Sequence, residues 1–283
     1  MRQTALGILL LFTAVTVGAQ VAEGDREWAQ RAEGHTGGRA KAGHIDAALA
    51  SYQRAIAQDP SDLEARGKLL RAYRFKGAYV SSSTEEKKQV YEAARREGQK
   101  ALEVVTRVLA KGPQFVATAS EKQVADAARG VNGAGAILFW DSVNWGEWAI
   151  VYGKLAAVRQ GAADRIRREA TIAMLIDSKM EGGGPTRVLG RLHDQTPHVP
   201  FFTAWASSSE AVRFLNESLK ADPTNKITRV FLAEAMVNND SNTRPQAIQM
   251  LRVTATAPSD PSYVVEQDAA SEDARALLKK WNA

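Results

Sequence analysis

The sequence contains no cysteine. Disulfides, thiolate catalysis, cysteine-ligated zinc and amino-terminal lipidation on cysteine are therefore all excluded. Strand-like alternation is nearly absent, and the most β-prone run, Ser262 to Val265, is too short to build a sheet. No stretch of lysine and arginine forms a basic patch, although the formal charge is +5, and the aromatics sit apart from the basic residues. That argues against nucleic-acid binding. Histidine is scarce, at four residues. His193 and His198 lie across Pro197 at a spacing unlike a helical metal pair, and read as solvated loop histidines. No Gly-x-Ser-x-Gly elbow occurs, and the carboxylates fall on charged helix faces such as EEKKQVYEAARREGQK. Neither an enzyme, a metal site nor a cofactor is expected.

What is present is helix. Capping boxes are read at Ser61…Glu64, Ser83…Glu86, Ser120…Gln123 and Ser207…Glu210, each before an apolar-periodic segment. About a dozen helices joined by short turns are expected, in a chain of 283 residues that is long enough to bury a sizeable core. The first residues, MRQTALGILLLFTAVTVGAQ, have the form of a secretory signal: Arg2, an apolar run from Thr4 to Val17, and a small-residue cleavage site ending at Ala19. The reading is therefore a signal peptide over 1–19 and a single helical-repeat domain over 20–283, periplasmic or secreted, with no lipid anchor on cysteine.

An internal repeat runs through the chain. HIDAALASYQRAIAQDPSD and SSSEAVRFLNESLKADPTN superpose at Ala48/Ala211, Tyr52/Leu215, Ala55/Ser218 and Pro60/Pro223. Small, large, small and then a terminating proline is the pattern of the second helix of a tetratricopeptide repeat: small residues admit the neighbouring helix and proline stops the turn. Ala101, Val105, Val108 and Pro113 repeat the spacing, as do Ala247, Leu251 and Thr254, with Pro258 one residue early. The first helix of the first repeat carries Gly34, Gly37 and Gly38 and is expected to break or end early. The fold class is all-α, an irregular tetratricopeptide-like solenoid of helical hairpins.

Two segments stand out. In AILFWDSVNWGEWAIVY, half of the six tryptophans fall within residues 140–148. At about 100° per residue, Trp140, Asn144, Trp148, Asp141 and Trp145 spread over one side of a helix while Phe139, Val143 and Ile150 occupy the other. A helix apolar on both sides is a central one, unless Gly146 breaks it. Its tryptophans are either core or an aromatic wall with Asp141 and Asn144 as polar anchors. In EGGGPTRVLGRLHDQTP, three glycines precede Pro185 at a first helical position, a tight loop whose amides could face an anion beside Arg187. The candidate ligand-binding set is Trp140, Asp141, Asn144, Trp145, Trp148 and Arg187.

In these two segments the chain resembles the T component (TatT) of tripartite ATP-independent periplasmic (TRAP) transporters. The matching residues are Leu138, Trp140, Asn144, Trp145, Gly146 and Trp148, then Gly183, Gly184, Pro185, Arg187, Leu189 and Gly190. The block AVRFLNESLKADPTNKITRVFLAEAMV and the last helix follow in the same order, so the likeness covers roughly residues 45–281. It implies degenerate tetratricopeptide hairpins, a periplasmic location, association with the transporter's substrate-binding protein, and a hydrophobic or amphiphilic ligand. Two features depart from it: the missing cysteine, and the segment HVPFFTAWASSSEA, which lacks a glycine-rich lead-in. A scaffold that docks envelope proteins through its repeat surface, with no small-molecule ligand, is the alternative. Self-association of the chain is left open.

Overall fold

The computed structural model describes residues 17–199, 201 and 203–283. Most of the signal segment, residues 1–16, lies outside them. Fourteen α-helices follow one another among the described residues, in this order: α1 (Val17–Ala29), α2 (Ala42–Gln58), α3 (Leu63–Phe75), α4 (Thr84–Leu109), α5 (Phe115–Thr118), α6 (Glu121–Ala128), α7 (Ala134–Tyr152), α8 (Lys154–Arg159), α9 (Ala162–Ile176), α10 (Met180–Gln195), α11 (Ser208–Ala221), α12 (Lys226–Asn239), α13 (Arg244–Thr256) and α14 (Val264–Lys280). A π-helical turn, Lys76–Val80, extends α3. No strand is formed among these residues; Thr36 and Arg39 make one isolated bridge. The β-prone run at Ser262 leads through a 3₁₀ turn into α14.

The helices pack as successive antiparallel hairpins in two layers. The inner layer holds α1, α3, α7, α10, α12 and α14; the outer layer holds α2, α4, α9, α11 and α13. Apart from the short α5 and α6, of which α6 packs on α9, each helix packs on its neighbours in sequence, and within the inner layer α3 meets α7, α7 meets α10, α10 meets α12 and α12 meets α14. This is the tetratricopeptide arrangement, and the outer helices carry the repeat pattern. Ala48, Tyr52 and Ala55 of α2, Ala211, Leu215 and Ser218 of α11, and Ala247, Leu251 and Thr254 of α13 are all fully buried. The fourth copy holds only in part: Ala101 and Val105 of α4 are buried, but Val108 is 45% exposed. There the following segment is two short helices, α5 and α6, so no regular partner covers the end of α4.

The capping boxes at Ser83 and Ser120 are reciprocal. Ser207 caps in one direction only, because the Glu210 carboxylate is held by Arg213. Ser61 is not a cap. Its hydroxyl donates to Asp59, and Asp62 caps α3 by accepting from the Ala65 amide. As expected from its glycines, the first helix ends early, at Ala29, and Gly34, Gly37 and Gly38 lie in the turn that follows.

That turn closes the solenoid on itself. Arg31 donates to Glu266 of α14 at 3.0 Å and to the carbonyl of Ser262, and the Gly38 amide donates to Glu272 at 2.9 Å. Gly38 is required here, since a Cβ at this position would stand 2.5 Å from the Ala269 α-carbon. Val265 of α14 is buried in the same apolar cluster as Ile45, Tyr52, Leu69 and Phe75, and α14 also reaches the π turn after α3. The inner layer is therefore a ring.

Candidate functional site

Helix α7 is the hub, packed against α3, α4, α9 and α10. It starts at Gly133, whose φ of 85° and close approach to the Leu63 carbonyl both demand glycine. It continues unbroken to Tyr152, so Gly146 marks no break. Gly184 of α10 lies against the ring of Phe139, where a Cβ would come within 2.6 Å. The Asn-Trp-Gly segment and the glycine-rich segment thus meet across one helix pair.

The tryptophans divide between two faces. On the outer face Asp141 is fully buried, with Gly98 of α4 against its Oδ1. Arg165 of α9 donates to Asp141 at 2.8 Å and to Glu169 at 2.9 Å. Burial raises both carboxyls above their ordinary range, Glu169 well above it, and the neighbouring Asp141 charge adds to the effect on Glu169. One arginine therefore faces two buried carboxyl groups, and the proton is held more firmly at Glu169 than on a carboxylate in water.

Beside them Trp145 is sandwiched by Arg95, 3.9 Å from its ring centroid, and Arg165, at 4.6 Å. Trp148 lies 4.1 Å under the same Arg95, donates from Nε1 to Glu92 at 2.6 Å and stacks on Tyr152. Trp145 and Trp148 are 5% and 3% exposed, so this is core. Asn144 is also fully buried, and its amide donates to the backbone carbonyls of Leu70 at 3.0 Å and Trp140 at 2.9 Å, stitching α7 to α3.

Trp140 alone of the three turns inward and stays partly exposed. With Gly67, Lys68 and Arg71 of α3, Ala136 of α7 and Glu181 of α10, it lines a cleft of about 300 Å³. The ring gives it an apolar wall, while Arg71 and Lys68 supply positive charge. Lys68 is held by Asp25 and Glu64, both at 2.6 Å. Arg71 stacks on Trp28 at 4.1 Å, and its Nε has no hydrogen-bond partner.

Deeper on the inner surface, Arg74 pairs with Glu147 at 3.4 Å and donates to the Tyr79 hydroxyl at 2.6 Å. Arg187 of α10 lies near enough for Arg74 to disfavour its charge; burial first, then Arg74, pushes its pKa down to about 10. Across the ring, Asp273 of α14 is raised by burial and by Glu234, Glu272 and Glu147. Side chains from five helices thus share one charged interior.

Arg187 has a structural task as well. The stretch Glu181–Gly183 is left-handed throughout, and the regular turns of α10 begin beyond it, with Pro185 near their start. Arg187 folds back to donate to the carbonyls of Glu181 and Gly182 and to Thr228 of α12. It clamps the loop that presents Glu181 to the cleft.

The six candidate residues therefore do not form one pocket. Trp140 lines the cleft, Arg187 shapes its rim, and Asp141, Asn144, Trp145 and Trp148 hold α7 to its neighbours. The residues that sequence reading passed over are Lys68, Arg71, Arg74, Glu147 and Glu181. Only Glu147 had a cue, lying seven residues after Trp140 and so about 20° away on the same stripe. The expectation of solvated histidines is corrected at His193. It is half-buried on α10 against Trp205 and Phe214, accepts from the Ser207 amide, and is held below the ordinary histidine range by burial.

No family model and no curated protein matches the chain. Among solved structures, one match is a complex described as the TPR2AB domain with pHSP90 from yeast Sti1. It is 13% identical, covers 92% of this chain and 98% of the other, and has a TM-score of 0.28. That likeness is too loose to carry function across.

Proposed function

We propose that the protein is an exported helical-repeat binding protein, the accessory T component of a TRAP-type solute transport system, which docks a periplasmic substrate-binding protein and holds an amphiphilic ligand in the inner cleft. The observation that carries the ligand part is the pairing of Trp140, a partly exposed aromatic wall, with Arg71 in one cleft. The Arg71 guanidinium lines the cleft beside the ring, so an anionic headgroup would meet its charge while an apolar tail lay on Trp140. The transport assignment rests on the two motifs of the resemblance, which the fold brings into contact at Phe139 and Gly184. Binding is non-covalent and involves no cofactor.

Tryptophan fluorescence of the wild type and of Trp140→Phe, titrated with long-chain organic acids, tests the cleft. A saturable response that the Trp140→Phe variant loses supports it, and an unchanged response in that variant, or none in the wild type, sinks it. Affinity capture of envelope proteins on the immobilised full chain tests the partner, with a substrate-binding protein as the expected catch.

A second reading is a protein-docking scaffold without a small-molecule ligand. It is favoured by the engagement of Asp141, Asn144, Trp145 and Trp148 in packing. A cleft silent in the titration together with specific capture of an envelope protein would select it.

A further inference from the structure

Helix α8, Lys-Leu-Ala-Ala-Val-Arg, is built with its apolar residues inverted. Its small residues, Ala156 and Ala157, pack on the cluster of Trp148 and Tyr152. Its large ones, Leu155 and Val158, face solvent at 65% and 77% exposure. Ile150, in the last turns of α7, is 75% exposed. A surface helix stabilised only by its own core would place leucine and valine inward and alanine outward.

Leu155 and Val158 are bracketed by Lys154 and Arg159, and Ile150 precedes them; both cations are exposed, and neither has a carboxylate within ion-pair distance among the described residues. Between Tyr152 and α8 runs a groove of about 370 Å³ floored by Trp148 and rimmed by Arg159. The loop before α11 is tied to the first turn of α9 by a hydrogen bond from Trp205 Nε1 to Asp164 at 3.1 Å, and it carries Phe201 fully exposed.

We propose that the α7–α8 elbow is a membrane-contact tip: Ile150, Leu155 and Val158 enter the interfacial layer of a lipid surface while Lys154 and Arg159 rest on its anionic headgroups. Apolar side chains flanked by unpaired cations and backed by tryptophan and tyrosine suit the boundary between headgroups and acyl chains. A second copy of this chain is a poorer occupant. A two-fold contact sets a patch against itself, and would bring Lys154 and Arg159 against the same charges. No helix among the described residues is long and apolar enough to cross a membrane, so the contact is peripheral.

The test is flotation of the full chain with vesicles of phosphatidylcholine alone and of phosphatidylcholine mixed with phosphatidylglycerol. Binding is expected to the mixed vesicles only, to weaken with added salt, and to fall about tenfold or more in the Leu155→Glu/Val158→Glu variant. The substituted side chains are exposed, so circular dichroism should be unchanged. Lys154→Glu/Arg159→Glu should abolish the response to phosphatidylglycerol. The proposal is overturned by a wild type that floats with neither vesicle or with both equally, and by a double variant that binds undiminished. It is overturned too if the apolar substitutions dissociate an oligomer in gel filtration while leaving vesicle binding intact.

Discussion

The two faces of α7 use the same residue types to opposite ends. On the outer face, Trp145 and Trp148 are sealed by Arg95 and Arg165, and every large group has a protein neighbour within contact distance. On the inner face, Trp140 borders open space beside Arg71; an unpartnered arginine Nε does not set this face apart, since Arg95 on the outer face has one as well. Aromatic rings next to arginines are therefore not in themselves a binding signature. What differs is whether a further helix covers them: α4 and α9 cover the outer face, whereas the inner face looks into the ring.

The contrast is broken most forcefully at Trp148. Its removal by Trp148→Ala leaves a cavity beneath Arg95 and takes one of two donors from Glu92, so a loss of about 3–5 kcal/mol is expected in urea unfolding. Asn144→Ala should follow at about 1–3 kcal/mol, because the carbonyl of Leu70 loses its donor in a dry interface. Trp140→Ala should cost less than Trp148→Ala, about 1–2 kcal/mol, since part of its ring already meets solvent. Equal losses at Trp140 and Trp148 would erase the distinction between the faces.

Glu169→Gln sharpens the comparison through pH. In the unfolded chain Glu169 releases its proton in the ordinary carboxylate range; in the folded protein burial holds that proton to higher pH. Between those two points the folded state carries the extra proton, so stability falls as pH rises through the window. Thermal melts of the wild type should show that decline, and Glu169→Gln should flatten it and be the more stable protein at the alkaline end. The smallest effect on stability is expected from Arg71→Gln on the inner face. It should leave the melting temperature nearly unchanged while weakening any anionic ligand that quenches Trp140.

The helical class and much of the repeat were legible because they rest on local rules. Alanine at Ala48, Ala211 and Ala247 reports how close the neighbouring helix comes, and the proline that follows reports where the helix stops. The cleft was less legible because it is assembled from non-local pieces. Helical spacing places Trp140, Asn144, Trp145 and Trp148 on one broad side, but no periodicity tells which half of that side a later helix will cover. Ring closure was hidden for a similar reason. Arg31 and Glu266 are ordinary surface residue types, and only the accumulated rotation of the intervening hairpins brings them together. Ser61 failed as a cap through a local competition, since the side chain of Asp59 two residues earlier captured its hydroxyl.

The seam between the turn at Arg31–Gly38 and α14 changes how this molecule should come apart. In a linear array of repeats, each unit leans only on its neighbours, and a terminal unit can peel away without disturbing the rest. Here the last helix is also a neighbour of the first hairpin. Fraying from either end must undo the other end's packing, and the array behaves as a hoop rather than a ladder. Unfolding should accordingly be a single sharp transition. Amide protons in α14 and α2 should exchange with solvent together, on one clock.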